Sequence, residues 1–106
     1  MAKFLVRASY TKAGVEGLIK EGGSGRRAAV EGAVSAVGGS VESFYYAYGE
    51  DDALVIVEVP DSATAVGISL AVNASGAVTC TLTPLISVEE LDEACKKSVG
   101  YRPPGS

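Results

Sequence analysis

The stretch Val41-Glu-Ser-Phe-Tyr-Tyr-Ala-Tyr-Gly-Glu-Asp-Asp-Ala-Leu-Val-Ile-Val-Glu-Val59 decides the fold. Its aromatics Phe44, Tyr45, Tyr46 and Tyr48 mark a strand over Val41 to Tyr48, Gly49 to Asp52 reads as a short polar turn, and Ala53 to Val59 is a more apolar second strand. The two form a hairpin, and what flanks the hairpin sets the architecture.

On the N-terminal side, Phe4, Val6, Ala8 and Tyr10 alternate with Lys3, Leu5, Arg7 and Ser9, the period-two pattern of a strand packed on one face. Thr11 is placed to cap a helix whose apolar stripe is Val15, Leu18 and Ile19, with Glu16 and Lys20 as an i,i+4 pair. Gly22-Gly-Ser-Gly25 interrupts it. Helical spacing resumes at Arg26, with Val30, Ala33, Val34 and Val37 on one stripe, until Gly38-Gly39 ends it as a glycine cap.

On the C-terminal side, Pro60-Asp61-Ser62 ends the strand and offers caps for a helix with Val66, Leu70 and Asn73 in register, terminated by Ser75-Gly76. Val78, Cys80 and Leu82 alternate with Thr79, Thr81 and Thr83 in a fourth strand, which Pro84 closes. Ser87-Val-Glu-Glu90 is a capping box opening a last helix through Cys95, with Lys96 and Lys97 at its negative end. The expected order β-α-β-β-α-β plus a terminal helix is an α+β, ferredoxin-like plan: a four-stranded antiparallel sheet with helices on one face. Residues 1–100 form the single domain and residues 101–106 a Pro-rich tail. The other sheet face needs a cover, and a second copy of the same sheet supplies one, so the expected state is a homodimer or larger homo-oligomer.

Composition agrees with one globular domain. The chain has 106 residues, 47% hydrophobic and 21% charged, enough apolar content for a core. A net charge of −4 excludes a sequence-wide basic field, so neither nucleic acid nor a membrane is an expected partner, and the expected location is the cytoplasm. Cys80 and Cys95 have no CxxC spacing and there is no histidine, which speaks against zinc and predicts two buried free thiols. No metal or cofactor is expected.

Candidate site residues come from two features. Gly22 to Arg27 places backbone amides beside Arg26 and Arg27, ingredients of an anion site; alternatively the glycines bend the crossover and the arginines pair with Glu21 and Glu31. Tyr10, Tyr45, Tyr46 and Tyr48 offer phenols and Arg7 a cation on neighbouring strands, to orient a polar or aromatic ligand or to pack a core or a dimer seam. The candidate ligand-binding set is Arg7, Tyr10, Arg26, Arg27 and Tyr45. Glu50, Asp51 and Asp52 read as a polar turn rather than a cation site, and Asn73 with the threonine ladder as helix ending and strand pairing.

Ala8-Ser-Tyr-Thr11, the Gly22 to Arg27 stretch, the Gly49-x-x-Asp52 turn and Pro60-Asp61 together resemble the GYD-domain family over about Phe4 to Leu85. In that family the turn reads Gly-x-Tyr-Asp; here Asp51 stands at the tyrosine position. The resemblance implies a fold of the dimeric α/β-barrel type and no established activity. Three functions fit the residues: a homo-oligomeric small-ligand-binding or accessory protein; a cofactor-independent isomerase, cyclase or monooxygenase, by fold analogy; or a structural assembly subunit. With no histidine, Ser/His/Asp and Cys/His catalysis are excluded.

Overall fold

Four strands pair edge to edge in the order β2-β3-β1-β4, every pair antiparallel: β1 (Ala2–Tyr10), β2 (Ser40–Tyr46), β3 (Ala53–Val59) and β4 (Val78–Leu85). Three helices complete the chain: α1 (Lys12–Ala36), α2 (Ser62–Ala74) and α3 (Val88–Cys95). The computed structural model describes residues 1–106. The split βαβ plan expected from the hairpin is the one observed.

Strand parity builds the core. Ala53, Val55, Val57 and Val59 turn one way from β3, and opposite them on β1 stand Ala8, Val6, Phe4 and Ala2. Val34 of α1 and Ala65 of α2 close on Phe4, Val55, Val57 and Val59, while Ala8, Ala53 and Cys80 form a smaller second cluster. Only 10 of the 106 residues are buried, so each core side chain carries a large share of the stability.

The helix ends are built as their residues dictate. Thr11 caps α1 by accepting the Gly14 N–H. Gly22 alone leaves helical geometry, at φ 78°, so α1 is two helices meeting at one glycine rather than across four residues. At its C-terminus the Gly38 N–H donates to Ser35 and the Gly39 N–H to Val34, a Schellman motif with Gly38 at φ 83°. Asp61 caps α2 through the Thr64 N–H and hydroxyl, and these bonds hold its carboxyl below the ordinary carboxylate range.

Several local expectations need correction. Strand β4 does not stop at Pro84 but continues to Leu85, because β4 is an edge strand and the nitrogens of its even-numbered residues point away from β1. Strand β2 ends at Tyr46, two residues early, where the loop turns toward β1. The Val66–Leu70 stripe of α2 faces out, and Ala65, Ile68 and Val72 face the sheet. That helix is apolar on all sides, so periodicity has no preferred face; the close approach of Ala65 and the clamp formed by Asn73 set its rotation. Likewise Val15 and Ile19 of α1 are exposed, and Gly14, Gly17 and Leu18 turn inward. Cys95 is exposed, not buried, because no residue of α3 is covered by the rest of the domain; Cys80 is buried as expected.

Asn73 reaches from α2 to the free edge of β4, where its amide accepts the Cys80 N–H at 2.8 Å and donates to the Cys80 carbonyl at 3.2 Å. A strand edge otherwise open to pairing with another chain is thereby sealed at its middle. The loop after β2 is pinned to β1 in the same manner: Asp52 N–H donates to Ala8, the Asp52 carboxylate accepts the Tyr10 N–H at 2.8 Å, and Arg7 pairs with Asp51 at 2.8 Å.

Two surfaces stay uncovered. Both α1 and α2 lie on one sheet face, leaving Leu5, Leu54, Ile56, Leu85 and Tyr45 on the other. Beyond β4 every residue from 86 to 106 is exposed, and the molecule extends 56 Å along its long axis against 33 and 23 Å across. Its radius of gyration, 16.9 Å, exceeds the roughly 13 Å of a compact 100-residue chain because of this arm. No helix is long and apolar enough to cross a membrane.

Candidate functional site

Small residues create the site. Ala13, Gly14 and Gly17 on α1, Ala71 on α2 and Ser75 at the cap of α2 leave an open groove of about 420 Å³ between the two helices. Beneath it, between helices and sheet, lies an apolar cavity of about 90 Å³ bordered by Val6, Val30, Phe44, Ile68 and Cys80 among others. Tyr10 and Arg26 line both spaces and stand where the groove opens into the interior.

Arg26 is held there by the break at Gly22, which redirects the second half of α1 over the sheet. Its guanidinium lies 3.5 Å from the Glu21 carboxylate, a loose and partly exposed pair. Such pairs contribute less than about 1 kcal/mol, so Glu21 restrains the guanidinium only weakly. Tyr46 lies against the break in α1: its ring packs on Gly23, where a Cβ would come within 3.1 Å, and its hydroxyl donates to the Gly23 carbonyl at 2.9 Å. Burial and the adjacent Tyr10 raise the Tyr46 phenol above its ordinary value, against the opposing pull of Arg26. At neutral pH it is therefore a hydrogen-bond donor and not a base.

The five residues singled out from sequence do not form one constellation. Tyr10 and Arg26 meet at the mouth. Arg7 and Tyr45 project from the opposite sheet face, Arg7 engaged by Asp51 and Tyr45 beside Leu54. Arg27 points along the outside of α1 toward Glu31 at 3.7 Å, the solvated i,i+4 pairing. On β2 it is Tyr46, not Tyr45, that lies on the helix side of the sheet. The register irregularity between Val41 and Ser43 sets Phe44 and Tyr46 on the helix side, their rings edge to face at 5.1 Å. Tyr46 pairs with Ala53, the first inward residue of β3, and so shares its face. The carboxylates of the acidic turn diverge, Asp51 to Arg7 and Asp52 to the Tyr10 N–H, as a polar turn requires.

The GYD-domain family model matches residues 4–95, nearly the whole chain. The chain belongs to the GYD-domain family. No curated protein and no solved structure matches it. In this GYD domain the turn that resembles the family's Gly-x-Tyr-Asp carries Asp51 at the tyrosine position, and that aspartate anchors Arg7 on the open sheet face instead of presenting a phenol. The following Asp52 fastens the same turn to the end of β1 and so holds Tyr10 at the mouth of the cleft. The mouth in this GYD domain sets one guanidinium and one phenol, Arg26 and Tyr10, over an apolar floor, a lining that suits an anionic or carbonyl head with a short apolar body.

Proposed function

We propose that this GYD domain is a homo-oligomeric binding protein for a small amphipathic molecule, one with a carboxylate or similar anionic head and a compact aliphatic or aromatic body. The observation that carries the reading is the position of Tyr10 and Arg26, shared by the open groove and the apolar cavity beneath it. The groove is of ordinary ligand size and the cavity is smaller than the ~150 Å³ that holds a benzene ring, so the body rests in the groove and only its tip enters the interior.

Benzoate and hexanoate are suitable probes. For a ligand of this size a Kd of about 1 mM is reasonable, which at 10 mM ligand adds about 1.4 kcal/mol and raises Tm by roughly 5–10 °C. Arg26→Ala is expected to remove most of that shift, and benzyl alcohol, lacking the charge, to give little. Equal shifts in wild type and Arg26→Ala, or no shift with either carboxylate, overturn the reading.

Assembly through the open sheet face is the second part of the proposal. Leu5 stands at its centre, between Ile56 on β3 and Thr83 on β4. Leu5→Glu places a charge there without touching the core and is expected to turn a dimer into a monomer in sedimentation velocity at micromolar protein. A dimer that tolerates Leu5→Glu is formed by another surface.

A further inference from the structure

The cavity beneath the groove owes its existence to three small side chains on one rung of the sheet. On the helix side Ala8 of β1 stands opposite Ala53 of β3 and Cys80 of β4, and one rung further in Val6 stands opposite Val55 and Leu82. Both rungs border the cavity, with Tyr10 and Arg26 at its near end and Val57 and Ala65 at its far end. Had the first rung carried the valines and leucine of the second, the space under Val30 and Val72 would be filled.

The walls hold this space open and keep it apolar. Strands β1 and β3 are central and bonded on both sides, and the edge strand β4 is fixed at Cys80 by both amide bonds of Asn73, so the walls have little freedom to collapse inward. The Cys80 thiol donates to the Ser69 hydroxyl at 3.6 Å, and no buried side-chain nitrogen or oxygen lacks a partner. A water needs several polar partners, and these walls have none to spare, so an apolar group gains by entering.

Its shape is that of a chain end. A methyl or methylene group is about the size of a water, ~30 Å³, so the cavity of about 90 Å³ takes about three of them. Rungs two residues apart are separated by ~7 Å, so three such groups fill the space end to end and leave no width for a fork or a ring. We infer that the site selects an unbranched aliphatic carboxylate, with its head at Arg26 and Tyr10, about two carbons across the mouth and a straight end of about three carbons between the Ala8 and Val6 rungs. Ala8, Ala53 and Cys80 then set the chain length. This inference rests on the reading of the Tyr10–Arg26 cleft as a carboxylate site and adds to it the identity of the tip; benzoate keeps its ring in the groove.

The test is an NMR titration of the full chain with propanoate, butanoate, pentanoate, hexanoate and octanoate, for wild type, Ala53→Val and Cys80→Ala. Each carbon entering the cavity strengthens binding about fourfold, the equivalent of ~0.8 kcal/mol per buried methylene. Wild type is therefore expected to hold hexanoate about 60-fold tighter than propanoate, and octanoate no more than about twofold tighter than hexanoate. The forked isomer 4-methylpentanoate is expected to bind at least about fourfold more weakly than hexanoate. Ala53→Val adds two carbons to the wall, and the hexanoate-to-propanoate ratio should fall to about fourfold. Cys80→Ala takes the sulfur out of the wall and should extend the gain by one carbon, setting octanoate about fourfold above hexanoate. A wild-type series that is flat or rises steadily to octanoate, or one that neither variant alters, puts the chain in the groove and overturns this inference, while loss of carboxylate binding in Arg26→Ala keeps the cleft reading. Where Ala53→Val does not fold, Cys80→Ala decides, and an unshifted length limit overturns the inference. No binding of any of these carboxylates overturns the cleft reading and this inference together.

Discussion

Gly14→Ala is expected to lower the melting temperature by about 10–20 °C, although alanine is the better helix former by about 1 kcal/mol. Gly14 is buried in the first turn of α1. A Cβ there would fall on the Ala77 carbonyl oxygen, well inside contact distance, and within 3.1 Å of the Tyr10 ring. That carbonyl accepts the Thr11 N–H at 3.0 Å and the Thr11 hydroxyl at 3.1 Å, so moving it loosens the capping residue as well. Overpacking costs about 1–3 kcal/mol and each weakened hydrogen bond about 1, so the net loss is about 2–4 kcal/mol of the ~5–15 kcal/mol a domain has. Gly17→Ala is the control: nothing lies within 4 Å of its Cβ, and the same helix should gain about 0.5–1 kcal/mol. Thermal melts of the two variants, moving in opposite directions, check the seating of α1 against the α2–β4 turn. Equal melts would mean that α1 does not rest on Ala77.

Phe4→Ala is expected to cost about 3–5 kcal/mol, read as a fall in the urea midpoint at unchanged slope. Phe4 is 5% exposed and is the largest side chain in a core otherwise made of Val, Ala and Cys. It lies opposite Val57 on one side and Pro84 on the other, in the most heavily paired strand, where the backbone has little freedom to collapse onto the void. Phe4 does not border the cleft, so any fraction that stays folded should bind benzoate as wild type does. Loss of binding in a folded Phe4→Ala variant would mean that the cleft is coupled to this end of the core. A loss below about 1 kcal/mol would mean that the core there is loose.

Much of the architecture is legible residue by residue. The hairpin between two helical stretches leaves only the split βαβ plan, and Thr11, Asp61 and Ser87 announce their caps because short oxygen-bearing side chains are the ones that satisfy free N–H groups. The site was half legible. Tyr10 and Arg26 follow from strand alternation and from the glycine break, but Tyr45 and Arg7 do not belong with them. Alternation is a relation between neighbours, and one irregular step at Val41–Ser43 decides which of Tyr45 and Tyr46 faces the helices. Arg27 separates from Arg26 because consecutive helical residues point about 100° apart.

Local chemistry thus settled the order of elements, their caps and breaks, and the antiparallel sheet, since each depends on a few adjacent residues and the backbone groups they satisfy. Rotation about helix axes was beyond it. Helix α2 is apolar all round and α1 opens on glycines, so the sequence offers several faces of similar hydrophobicity. The choice falls to contacts distant in the chain: Ala65 against the sheet, Asn73 on the edge of β4, Gly14 under Ala77. Those same close approaches hold the two helices apart over the sheet. The cleft with Tyr10 and Arg26 at its mouth exists for that reason, a product of packing geometry that no single segment of the chain encodes.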